Sequence, residues 1–204
     1  MSTTIEQRQE VRRRELLDAA AALYAERGYR ATSMNDLAGR VGLSKPALYH
    51  YVRSKQDLLV ELYEEVLRAS TDSVAAIEAA TPRAIDALRE VIVQRVAYTC
   101  EHQPLLRVFF EEEAGLPRSA LEDVLRARRR YEDAVIAIAL RAAEDGSLEI
   151  AVAPRIYVNA LLGAANWVYK WFDPAGRLGP RALGEEIAAA LLGSASSHRS
   201  PPAA

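Results

Sequence analysis

Apolar positions recur at three- and four-residue intervals along most of the chain, and strand-like alternation is almost absent. Leu16, Ala20 and Leu23 fall within about 60° of one another at 100° per residue, giving one apolar stripe on a helix expected over residues 7–27. Gly28 follows as the residue that turns the chain out of the helix with positive φ. Ser33-Met34-Asn35-Asp36 then gives a capped start, with a short carboxylate at the usual Glu position. The helix it opens, residues 34–41, presents Leu37, Ala38 and Val41 and is broken by Gly42. Ser44 caps a stub over residues 45–52, with Pro46 in its first turn, where a missing N–H costs nothing. Ser54-Lys55-Gln56-Asp57 caps a fourth helix with Leu58, Leu59, Leu62 and Val66 on one side, running to about residue 79.

Pro and Gly punctuate the remainder into long helices. Thr81-Pro82 opens one that ends near His102, Pro104 starts "PLLRVFFEEE" before Gly115, and Pro117 starts the longest, ending at Asp145-Gly146. Pro154 starts "PRIYVNALLGAANWVYKWF", and "GPRALGEEIAAALLG" is the last. The expectation is an all-α chain of nine helices. Residues 1–53 would form an N-terminal three-helix domain and residues 54–194 a larger helical domain. The polar, proline-ended residues 195–204 are expected to be disordered.

The stub raises a specific question, because a helix of about two turns is not stable alone in water. With Leu48 at 0°, Val52 lies near 40° and Ser44 near −40°, so that side faces inward. Pro46 and His50 lie at about 160° and 200°, pointing away, with Ala47 and Tyr49 on the flanks. A short capped helix that follows a helix and a glycine turn, and presents a small and polar face, has the layout of a helix-turn-helix. The Ser33 and Ser54 caps place N–H groups at helix N-termini, where anions bind; Lys55 adds a charge and the Tyr49 hydroxyl a long-reach donor. The same caps also fit a plain three-helix subdomain in which they merely end helices.

Charge and composition narrow the picture. The net charge of −2 conceals an asymmetry: through Val60 there are ten Lys/Arg against seven Asp/Glu, and beyond it sixteen against twenty-one. Arg12, Arg13 and Arg14 stand together in the basic front, so only the front suits a polyanion. Cys100 is the only cysteine, which fits a reducing compartment. The N-terminus has no apolar core of a signal peptide and no run of about 18 apolar residues occurs. A cytoplasmic protein without membrane association is expected. Cys100 and His102 diverge by about 200° on a helix, and no nucleophile-elbow, phosphate-loop or zinc-protease motif is present, so neither catalysis nor a metal or other cofactor is expected.

The stretch "AERGYRATSMNDLAGRVGLSKPALYHYVRSKQDLL" resembles the DNA-binding domain of TetR/AcrR-type transcriptional regulators. The resemblance lies in the Gly after helix 1, "AT" before a capped helix 2, then "VGLSK", "LY", and "SK" followed by an acid and "LL". It implies that Lys45, Pro46 and Ala47 face bases, and that Thr32, Ser33, Ser44, Tyr49, His50 and Lys55 face phosphates of a double-stranded operator. Two departures stand out: Tyr51-Val52 replaces the family's common His-Phe, and Pro46 replaces a frequent glycine. Pro46 and Ala47 have no side-chain hydrogen bond to offer, so readout there rests on apolar contact and DNA shape.

In that family the later helices bind a ligand and form a homodimer. Gly163, Ala164, Ala165, Ala188, Ala189 and Ala190 are small residues that let helix axes approach, either in a four-helix dimer seam or within one chain. "NWVYKWFDPAGRLGPRALGEEIAAALLG" further resembles the subgroup that responds to acyl-CoA thioesters in fatty-acid and sterol breakdown. The resemblance implies an apolar tunnel, with Phe109, Phe110, Tyr131 and Trp167 as wall candidates and Arg128, Arg129 and Lys170 as phosphate candidates. The competing expectation is that the aromatics are core and that "RARRR" is a solvated face, pairing Glu122 with Arg126, Arg128 with Glu132 and Arg129 with Asp133. The expected function is a repressor released from its operator by a small hydrophobic effector, an acyl-CoA or fatty acid. A helical protein-interaction module and an activator without an effector are the alternatives.

Overall fold

The protein is described by a computed structural model covering residues 2–193, with side chains from residue 7 onward. The segment expected to be disordered, residues 195–204, lies outside the described residues. Among the described residues nine α-helices follow one another: α1 (Ser2–Arg27), α2 (Met34–Arg40), α3 (Lys45–Leu48), α4 (Lys55–Ala80), α5 (Ala84–Glu101), α6 (Gln103–Glu111), α7 (Arg118–Glu144), α8 (Pro154–Trp167) and α9 (Pro180–Leu192). Short 3-10 turns at Glu113–Gly115 and Val168–Lys170 follow α6 and α8, and the described residues contain no strand. None of these helices is long and apolar enough to cross a membrane.

The nine-helix expectation holds, with shifts at the ends. α1 begins at Ser2 rather than near residue 7, because the polar prefix contains no breaker and propagation onto a formed helix is easy. The stub is one α-helical turn, not two. Past Leu48 the bonds tighten: His50 N donates to Ala47 O and Tyr51 N to Leu48 O, each three residues back. α8 likewise gives way to a 3-10 turn at Val168, short of the expected Phe172. Gly28 and Gly42 carry φ of 85° and 66°, the left-handed conformation that a side chain resists, so both helix stops are written in glycine.

Packing divides the chain into two units that interleave in sequence: Met1–Ala69 with His102–Arg128, and Ser70–Glu101 with Arg129–Ala204. In the first, α1 packs on α2 and α6, and α2 on α3. Its buried side chains include Leu16, Tyr24, Leu37, Leu48, Leu58, Leu62 and Tyr63. Leu48 and Val52 are buried as the helical angles require, while Ser44 stays exposed.

In the second unit α5 is central and packs most extensively on α9, then on α8. Leu88, Ile92, Val96, Val135, Ile138, Val158 and Ala188 join one apolar core. The α5–α9 approach is close enough to require glycine at one point. A Cβ on Gly184 would stand 2.7 Å from the Val93 carbonyl oxygen and 2.9 Å from Val93 Cα, and backbone cannot swing aside. Gly184→Val is expected to lower the unfolding free energy by about 1–3 kcal/mol, read as an earlier urea midpoint. An unchanged midpoint would show that α9 can move off α5 at no cost.

Candidate nucleic-acid interface

Serine caps set the starts of α2, α3 and α4. Ser33 Oγ accepts from Asp36 N at 3.2 Å, and Asp36 Oδ2 accepts from Ser33 N at 2.8 Å, a reciprocal capping box. Hydrogen bonds from the Ser33 side chain and backbone hold the Asp36 carboxyl below its ordinary pKa, so it is ionised at neutral pH. Leu43 N donates to Ala38 O at 2.9 Å and closes the turn after α2. Ser44 Oγ then accepts from Ala47 N at 3.3 Å, and Ser54 Oγ from Asp57 N at 3.1 Å.

α3 is therefore fixed from both sides, with Leu48 wholly buried under it. Lys45, Pro46, Tyr49 and His50 are exposed and Ala47 is half-buried. Tyr49 is 47% exposed on this same face. This face extends onto α1 through a cleft of about 670 Å³ lined by Gln9, Glu10, Arg13, Leu43, Ala47, His50 and Tyr51.

Two side chains expected to meet phosphate are turned inward instead. Thr32 is 1% exposed and its hydroxyl donates to Gly28 O at 3.0 Å. Lys55 Nζ donates to the carbonyls of Tyr29 (2.9 Å), Arg30 (3.3 Å) and Thr32 (2.9 Å), and lies 4.4 Å from the centre of the Tyr29 ring. An ammonium has three N–H groups, and these three carbonyls take them. Both residues hold the α1–α2 turn.

The arginine run also has internal work. Arg13 donates to Tyr51 O and to Glu61 (2.6 Å), and Arg14 pairs with Glu65 (2.7 Å) and Asp18, so two successive side chains clamp α1 to α4. Arg12 pairs with Glu15. α6 belongs to the same unit: Glu112 Oε1 accepts from Tyr29 N at 2.8 Å, and Tyr63 Oη donates to Val108 O at 3.2 Å.

Two family models match the chain, one described as "Bacterial regulatory proteins, tetR family" over residues 16–62 and one as "Tetracyclin repressor-like, C-terminal domain" over residues 81–195. The chain belongs to the TetR family. It is a DNA-binding transcriptional regulator of that family, and the first match contains the whole α2–α3 layout described above.

Among its relatives is the HTH-type transcriptional repressor KstR2 of Mycobacterium tuberculosis, 27% identical over 198 residues, covering 89% of this chain and 92% of that protein. The solved structure of the TetR-family regulator PfmR from Thermus thermophilus is 31% identical, with a TM-score of 0.78 over 87% of this chain and 96% of that one. AibR, solved with isovaleryl coenzyme A and operator DNA, shares the fold at 24% identity, with a TM-score of 0.79 over 89% of this chain and 98% of that one.

The effector candidates of this TetR-family chain fall in both units. In the first, Phe109 is buried, with Tyr63 and Phe110 rings at 4.9 and 5.2 Å, and the Arg128 guanidinium 5.4 Å over its ring. In the second, Tyr131 is buried and Arg129 is exposed, while Lys170 lies 5.2 Å over the Tyr169 ring. Trp167 is 59% exposed, so it forms no wall within the single chain. The i,i+4 pairs expected along "RARRR" are replaced. Arg126 pairs with Asp123 three residues back, while Arg128 pairs with Glu113 at 3.0 Å and Glu132 and Asp133 with Arg155, partners brought in by the fold from outside the run.

Sequence reasoning missed Glu112, and also Arg95, an arginine 7% exposed in the apolar run of α5. For Arg95 a signal existed: it lies three and four residues from Ile92, Val91 and Thr99, on the side that faces the core. Lys55→Met should cost about 1–3 kcal/mol of stability, since three carbonyls lose their donor. A role confined to phosphate contact would instead lower DNA affinity and leave the urea midpoint where it was.

Proposed function

We propose that the protein is a homodimeric repressor that acts in the cytoplasm, binds an operator through α3, and is released by a small hydrophobic effector. Residues 1–53 would carry DNA binding, and residues 54–194 effector binding and dimerisation. The observation that carries the reading is the exposed face of a one-turn helix whose every end is capped. Lys45, Pro46 and Ala47 would meet base edges, and Ser33, Ser44, Tyr49 and His50 phosphates, with Thr32 and Lys55 shaping the turn behind them. Support for repression comes from KstR2, a named repressor matching along most of this chain.

Dimerisation is supported by an apolar stripe on α8. Ile156 is 63% and Trp167 59% exposed, with Ala160, Gly163 and Ala164 between them at helical spacing, Gly163 and Ala164 exposed. Trp171, 52% exposed, lies just beyond. Two chains joined through this stripe would present two copies of α3 to a roughly palindromic operator. Trp167→Glu is expected to shift the sedimentation profile toward monomer and weaken operator binding with it; a variant that stays dimeric would move the seam elsewhere.

An acyl-CoA or fatty acid is the effector class that the resemblance to AibR, solved with isovaleryl coenzyme A, supports. Of the candidates, Tyr131 would contact its chain and Arg129 and Lys170 its phosphates, all three in the second unit, while Phe109, Phe110 and Arg128 belong to the first. α4 begins in the first packing unit and ends in the second, as α7 also does, so both helices link the two units covalently. Release needs differential affinity: moving a two-state balance from 1:99 to 99:1 takes about 5.5 kcal/mol of preference for the non-binding state.

The test is a mobility shift with DNA from around the protein's own gene, with salt titration and competitor. A protected palindrome is expected. Lys45→Ala should weaken binding at least about tenfold and reduce the salt slope by about 1 if it meets phosphate, or relax base preference if it meets a base edge. Tyr49→Ala should weaken binding without shifting the unfolding midpoint. Absence of binding by a folded dimer at low salt would sink the proposal.

A further inference from the structure

Ser70, Arg95 and Thr99 are buried polar residues of the second unit, at 7%, 7% and 0% exposure, in surroundings that are otherwise apolar. Arg95 and Thr99 stand one turn apart on the same face of α5. Arg95 Nε donates to Asn166 Oδ1 on α8 at 2.6 Å, and Nη1 donates to Ser70 Oγ on α4 at 2.7 Å. Tyr131 of α7 is buried near the same guanidinium, whose charge pulls its phenol pKa down against the larger rise that burial imposes. Side chains from four helices thus bring polar chemistry into a core whose neighbours are Val91, Ile92, Val96, Val135, Leu161 and Leu162.

Thr99 separates this cluster from an ordinary structural network. A helical threonine can satisfy its hydroxyl on a carbonyl one turn back. Thr99 Oγ1 is fully buried and has no hydrogen-bond partner. A valine would fill the same space without that cost, so stability alone gives no reason for the hydroxyl.

We propose that Thr99 and Arg95 hold the acyl oxygen of a hydrophobic ligand, whose hydrocarbon body lies among the surrounding apolar side chains. This rests on the reading of the later helices as an effector site, and it names the group recognised there. Two sources share that chemistry: the carboxylate of a free acid, which a guanidinium binds with charge assistance, and the carbonyl of its coenzyme A thioester.

The experiment is calorimetry on the full-length protein with straight-chain carboxylates of four to sixteen carbons, their coenzyme A thioesters, and primary alcohols of equal length. Operator binding is followed in the same preparations. At least one acid or thioester should bind, about tenfold or more tighter than its alcohol, and which of the two binds identifies the source. Thr99→Val should lose about two- to tenfold in that affinity while the unfolding midpoint of the unliganded protein stays or rises. Arg95→Gln should lose more, and Thr99→Val carries the test should Arg95→Gln fail to fold. Wild-type affinity in Thr99→Val overturns the inference and leaves the effector reading standing. Operator binding with no ligand bound by the wild type overturns both of these and leaves the regulator. Loss of operator binding in the wild type would strike the regulator reading itself.

Discussion

Lys55 Nζ sits among the carbonyls of Tyr29, Arg30 and Thr32, and the placement of α2 and α3 depends on the turn this ammonium holds. The bond is reciprocal in effect, since Tyr24 Oη donates to Lys55 O at 3.1 Å and the Tyr24 ring meets Tyr29 edge-on at 5.2 Å. The first turn of α4 and the α1–α2 connection are thereby locked as one piece. α2 starts at the end of that connection, and α3 follows α2 after a glycine. A helix of one turn has no stability of its own, so its orientation is inherited from this lock.

The clamps of Arg13 on Glu61 and Arg14 on Glu65 act on the same pair of helices from the middle of α1. Both arginines are roughly half exposed, so each pair contributes little by itself and weakens as salt rises. Their value is geometric: they fix where the N-terminal half of α1 lies beside the cleft that continues from α3. Charge that looks in the sequence like a basic surface for a polyanion is partly consumed in placing the helix that carries it.

Local signals were legible in the sequence because each has a local cause. Serine followed three residues on by an acid or small residue, glycine after an apolar stripe, and proline at a helix start all act within one turn, and α2, α3 and α9 begin where those rules put them. The inward Leu48 and Val52 and the outward Pro46 and His50 followed from helical angles, whereas Ser44, placed inward by the same angles, is exposed. What the pattern could not carry is pairing between distant segments. Nothing near Glu112 indicates that its carboxylate caps an amide at Tyr29, 83 residues away, and nothing near Lys55 indicates that its charge turns inward. Trp167 reads as core by composition, and only its neighbours on α8 show it facing out.

The placement of α6 has an evolutionary consequence. Residues 102–128 pack with the reading head, and Gly115 is so tightly enclosed that a Cβ there would come within 2.8 Å of both Leu59 and Tyr29. A substitution in this stretch alters the surface on which α1 and α4 rest, whatever it does for a ligand. A changed side chain on α5, α8 or the later part of α7 alters the packing of the second unit, where α5 meets α8 and α9. Divergent descendants of this chain should keep 102–128 as faithfully as the helix-turn-helix.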